Sequence, residues 1–220
     1  MPSYLHRMPR SVIAQQFVGG PSLVSAGAAK ALTLPLLVLS SLLAGCQSTA
    51  EQPLPLDPVI GNTGSALSEI AKRADVQTYD LTLEVFPATQ SIAGVGKTEF
   101  LLVQATSQVE LKLDSRFSIS QITVDEQAAT YQREGGVLTI QLPTELAAGA
   151  TVNVAVSYAG KPHVALNAPW AGGTVWGKTP DGQPWIATAV QGEGCDLFWP
   201  CKDHFSDKAD SMRIRLTVPN

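Results

Sequence analysis

The residues best equipped for chemistry lie in one run, Gln191-Gly192-Glu193-Gly194-Cys195-Asp196-Leu197-Phe198-Trp199-Pro200-Cys201-Lys202-Asp203-His204-Phe205-Ser206-Asp207-Lys208, where glycines, aromatics, two thiols and alternating charges replace strand or helix periodicity. Cys195 and Cys201 could close a disulfide if the chain is exported. They could equally remain thiols, because closure depends on a turn geometry that the spacing does not give. Cys195, Cys201 and His204 form a C-x5-C-x2-H set. Zinc sites, however, space their first cysteine pair at two to four residues and need a fourth ligand. We therefore read His204 as a hydrogen-bonded loop residue and Glu193, between two glycines, as a turn residue. No signature identifies a Cys-His nucleophile here.

Peptide hydrolysis by a gluzincin site needs His-Glu-x-x-His on one helix, two imidazoles holding zinc and the Glu activating water. The histidines of this chain are His6, His163 and His204, and no two of them have that spacing.

The core of the run, Phe198-Trp199-Pro200-Cys201-Lys202-Asp203 with Lys208 five residues after the Asp, nevertheless resembles a family segment. Zinc aminopeptidases of the aminopeptidase N and leukotriene hydrolase type write it Phe/Trp/Leu-Pro-Cys-x-Asp-x-Pro-x-x-Lys. The family's Asp-x-Pro reads Asp203-His204-Phe205 here. The resemblance implies a β-rich N-terminal domain that leads into a metallopeptidase domain, of which this sequence contains nothing. It implies that zinc belongs to the full-length protein, through ligands outside this chain, and that the chain alone is not catalytic. The implied partners are peptide substrates with a free N-terminus and a downstream catalytic domain. Nine residues before the Pro, the family places a Gln or Glu that contacts the substrate's amino group; nine residues before Pro200 stands Gln191. A Gln carbonyl can accept a hydrogen bond from an ammonium, which selects free N-termini without hydrolysing anything. Pro200, Asp203 and Lys208 are expected to organise the loop, the last two through backbone bonds or a mutual ion pair.

Residues 1–45 contain Arg7, Arg10 and Lys30, no acid, and an apolar stretch from 31 to 43 that ends Leu43-Ala44-Gly45-Cys46. That is the form of a secretory signal. The stretch is shorter than the roughly 20 residues of a spanning helix. The ending looks like a lipoprotein box, which makes Cys46 a lipidation site and the membrane a partner through a lipid anchor; Gln47 after it is compatible with the outer membrane, facing the periplasm. Removing the three cations leaves 12 Lys and Arg against 19 Asp and Glu, which argues against nucleic-acid binding.

The elements that must position the run are strands. Residues 46–73, with Pro53, Pro55, Pro58, Gly61 and Gly64, read as a flexible tether, its last residues, 65–73, as a helical turn or two. From Val76, Tyr79, Leu81, Leu83 and Val85 alternate with Asp80, Thr82 and Glu84, the period of a half-buried strand. Further strands are expected at 94–103, 108–113, 118–124, 129–133, 137–142, 151–158, 185–190 and 212–218, with turns at Asp125-Glu126 and Glu134-Gly135-Gly136. Short strands without intervening helices predict an all-β, antiparallel β-sandwich domain over 74–220. Residues 160–184 read as one long irregular loop. Trp170, Trp176, Trp185 and Trp199 fall within 30 residues, either as a contact surface or as a plug at one end of the sandwich. A contact surface is the basis of a rival reading, a stand-alone envelope binding module.

Overall fold

The computed structural model describes residues 63–219. The signal, Cys46 and most of the tether lie outside the described residues. A 3₁₀ turn at Ala71–Arg73 leads into β1 (Ala74–Phe86), β2 (Ser91–Leu102), β3 (Thr106–Lys112), β4 (Phe117–Val124), β5 (Gln127–Ala128) and β6 (Tyr131–Glu134). There follow β7 (Val137–Leu146), β8 (Thr151–Gly160), β9 (Gly173–Lys178), β10 (Pro184–Ala189) and β11 (Ser211–Thr217).

A six-stranded sheet ordered β11-β1-β2-β8-β4-β5 packs against a three-stranded sheet ordered β3-β7-β6. Period-two alternation makes the layers. Tyr79, Phe100, Leu102, Val152, Val154, Val156 and Tyr158 line the inner face of the large sheet, and Val109, Leu111, Leu138 and Ile140 that of the small one, all buried in one cluster. Two inner faces of apolar side chains enclosing a core define a β-sandwich. At the β4–β5 hairpin Asp125 and Glu126 both take left-handed backbone, at φ 45° and 67°, the pair of positive angles that a two-residue hairpin turn with the right twist demands.

Two expectations are corrected. The sheets are not wholly antiparallel: β11 runs parallel to β1, pairing Thr78 with Ser211 through Glu84 with Thr217. Parallel neighbours need a crossover connection, and here nearly the whole domain supplies it. Residues 160–184 are not one loop, for β9 lies inside them and forms a separate hairpin with β10. Its glycines read as breakers, yet Gly177 is where the Trp185 ring lies against the backbone, about 3.3 Å from the position a Cβ would take.

Candidate functional site

The run that follows β10 is fastened to the sandwich at several points. Gln191 is exposed on the turn leaving β10, and Thr63 N–H donates to the Gly192 carbonyl at 3.0 Å. Gly192 and Gly194 have φ of +93° and +101°, a region glycine enters without strain. Gly194 is required twice over, since a Cβ there would lie 2.2 Å from the Asp203 carboxylate. A 3₁₀ turn at Cys195–Leu197 follows. Tyr158 Oη then donates to the Phe198 carbonyl at 2.8 Å, and Pro200 fits beside Gly96, which has no Cβ to collide with it. Cys201, fully buried, exchanges two backbone bonds with Lys112 at the end of β3, 2.7 and 3.0 Å.

Cys195 and Cys201 are joined by a disulfide, their Cα atoms 6.3 Å apart. A loop this short restrains the unfolded chain modestly. Replacing both by alanine should cost about 2 kcal/mol in urea unfolding; a loss above about 4 kcal/mol would mean that the bond does more than close a loop.

Asp203 is buried, and its Oδ1 accepts from Thr63 Oγ1 at 2.8 Å and from the Cys195 backbone N–H at 3.4 Å. Lys208 is exposed and forms no ion pair with Asp203; the buried ion pair joins Lys202 to Asp207 instead. His204 shares a hydrogen bond with Ser206 through Nδ1 at 2.7 Å and stacks on Phe205. The tryptophans divide: Trp176 and Trp199 pack on the core, while Trp170 is 78% and Trp185 53% exposed.

Two carboxylates escaped the sequence reading. Glu193 is half-buried, and its Oε1 accepts the Gly172 N–H at 2.8 Å, tying the 160–172 loop to the turn. Its Oε2 is buried without a hydrogen-bond partner among the described residues. A carboxylate accepts from an ammonium more strongly than the exposed Gln191 amide does, but Oε2 is closed off from solvent. Close by, burial and the charge of Arg116 hold the His163 imidazolium below its usual range.

Asp196 is fully buried, and neither carboxylate oxygen has a hydrogen-bond partner among the described residues. Burial first, then the neighbouring Asp203 and Asp114, push its carboxyl up to about 8, with Lys112 opposing. The signal was an acid set directly against Leu197-Phe198-Trp199. Among the described residues no three His, Cys, Asp or Glu side chains converge to hold a metal ion.

No protein-family model and no curated protein matches the sequence. Solved structures do. An M1 zinc metallopeptidase from Deinococcus radiodurans superposes with a TM-score of 0.58 at 24% identity, over 73% of this chain and 36% of that one. A two-domain M1 zinc metallopeptidase variant bound to L-arginine gives 0.57 with the same identity and coverage. Yeast LTA4 hydrolase in complex with bestatin gives 0.54 at 17% identity, over 70% of this chain and 25% of that one. The chain thus has a fold found in M1 zinc metallopeptidases and LTA4 hydrolase, the family that the run at 191–208 resembles, and spans about a third of the length of the first structures it matches.

Proposed function

We propose that this chain is the N-terminal, cleft-contributing domain of a zinc-dependent aminopeptidase that removes N-terminal residues from peptides. Gln191 and Glu193 would receive the substrate's ammonium, and the zinc ligands would come from polypeptide beyond this chain. The observation that carries the reading is the turn after β10, which presents the exposed Gln191 amide two residues from the half-buried Glu193 carboxylate. It does so on a fold whose solved examples include an M1 zinc metallopeptidase variant bound to a Tyr-Ser-Ala substrate. Residues 1–45 would export the protein, and Cys46 would hold it by lipid, at the outer membrane and facing the periplasm.

The test is hydrolysis of an amino-acid anilide by the complete gene product, with and without chelator. Hydrolysis should stop with chelator. Glu193→Gln should raise KM about 10- to 100-fold, the loss of one hydrogen bond to a charged group, and Gln191→Ala should raise it less. An inactive complete product would overturn the reading. A second reading, a stand-alone binding module, is favoured by the exposure of Trp170 and Trp185; peptide binding without hydrolysis by a product that ends at Asn220 would support it.

A further inference from the structure

The turn after β10 has a second turn standing beside it. The chain entering β9 doubles back through a tight bend in which the Trp170 and Ala171 N–H groups both donate to the Asn167 carbonyl, at 2.8 and 2.9 Å. The base of that bend is fixed on both sides. On one, Thr174 N–H donates to the His163 carbonyl at 2.6 Å and Ala165 N–H to the Thr174 carbonyl at 3.0 Å. On the other, Gly172 N–H donates to Glu193 Oε1 at 2.8 Å. The approach is so close that a Cβ on Gly172 would lie 2.3 Å from Glu193 Oε2 and 2.9 Å from the Ala189 carbonyl oxygen. The turn carrying Gln191 is closed in its own right, Gly194 N–H donating to the Val190 carbonyl at 3.1 Å.

Beside the amide and the carboxylate, these two turns present apolar surface. Trp170 is 78% and Leu166 76% exposed on the first, and Val190, directly before Gln191, is 42% exposed on the second. Trp170 lies two residues from Gly172, and Gln191 two residues from Glu193, so each leg of the path between them spans at most about 7 Å. Scattered single apolar residues on a surface need no explanation, but a group of them around one polar site marks a place of contact. An indole offers a large rigid face with few bonds to freeze. Residues 164–172 carry no charged side chain, so this wall supplies contact area and no ion pair. In a peptide, the first side chain leaves the same carbon as the free ammonium. A wall next to an ammonium acceptor therefore meets that side chain.

We propose that Trp170, with Leu166 and Val190, is a specificity-determining residue: its indole face receives a large apolar or aromatic side chain of the substrate's N-terminal residue. The inference rests on the aminopeptidase reading and names the substrate class for it.

Initial rates of the complete gene product on phenylalanine and alanine p-nitroanilides test this. In Trp170→Ala the ratio of kcat/KM for the phenylalanine over the alanine substrate should fall about 10-fold, the scale of one aromatic contact and of discrimination between apolar side chains by a pocket. The loss should lie in KM more than in kcat, as for binding energy shared by ground and transition states. Trp170→Phe, which restores an aromatic face, should keep most of the selectivity. A ratio that Trp170→Ala leaves alone would overturn the proposal. So would a loss of kcat/KM equal on both substrates, the result expected if Trp170 packs against another part of the protein. Either outcome leaves the aminopeptidase reading standing, whereas a wild-type product that hydrolyses neither anilide would overturn both.

Discussion

Asp196→Asn will stabilise the domain by a few kcal/mol at pH 7 and flatten its stability profile between about pH 4 and 8. The wild-type carboxyl is fully buried without a partner among the described residues, in the field of Asp203 and Asp114, so its folded-state value is about 8. In the unfolded chain an Asp titrates near 3.9. Across that window the folded state holds a proton that the unfolded state releases, so stability falls as pH rises from about 4 and levels off above about 8. Asn has the shape of the protonated acid and needs no proton, so it escapes the penalty. Urea unfolding of both proteins at pH 4.5, 6, 7 and 8.5 reads the effect as a gap that widens with pH. Parallel profiles would mean that the carboxylate is solvated and that its burial is not maintained in solution. A stability cost kept three residues from Glu193 fits a segment shaped for binding, since perturbed groups gather where a site is built.

The strands of the sandwich were legible because one face of each is apolar. The alternation from Tyr79 to Val85 has a single solution in which the core is dry, and two-residue turns such as Asp125-Glu126 leave little freedom between strands. Direction was not legible. Met212, Ile214 and Leu216 alternate in the same way whether β11 runs parallel or antiparallel to β1, and only the route of residues 191–210 decides between them. In the site, the run 191–208 announced itself by composition, but its internal partners did not. Lys202 to Asp207 and Asp203 to Lys208 have the same spacing, and burial alone selects the first as the ion pair. Glu193 between glycines reads as a turn residue because its partner, the Gly172 N–H, is 21 residues away on a different loop.

Lys202→Met should cost about 3 to 5 kcal/mol, the loss expected when one member of a buried ion pair is removed and the other is left behind. Both side chains are 6% exposed. Lys202 Nζ also donates to the Ala74 carbonyl at the start of β1, Lys202 N–H donates to Tyr79 Oη at 3.0 Å, and Asp207 Oδ1 accepts the Val76 N–H at 3.2 Å. The pair thus clamps the run at 191–208 onto β1 just before Asp210 N–H meets the Gln77 carbonyl at 2.9 Å and β11 begins. A methionine keeps the packing volume of the lysine stem but abandons a buried carboxylate. Adding Asp207→Asn, whose amide oxygen can still accept from Val76, removes that stranded charge and should recover more than half of the loss. The four proteins of this double-mutant cycle, unfolded in urea, separate the two contributions. A single mutant that loses less than about 1 kcal/mol would behave as exposed pairs do, and the register of β11 on β1 would then have to be held by strand pairing alone.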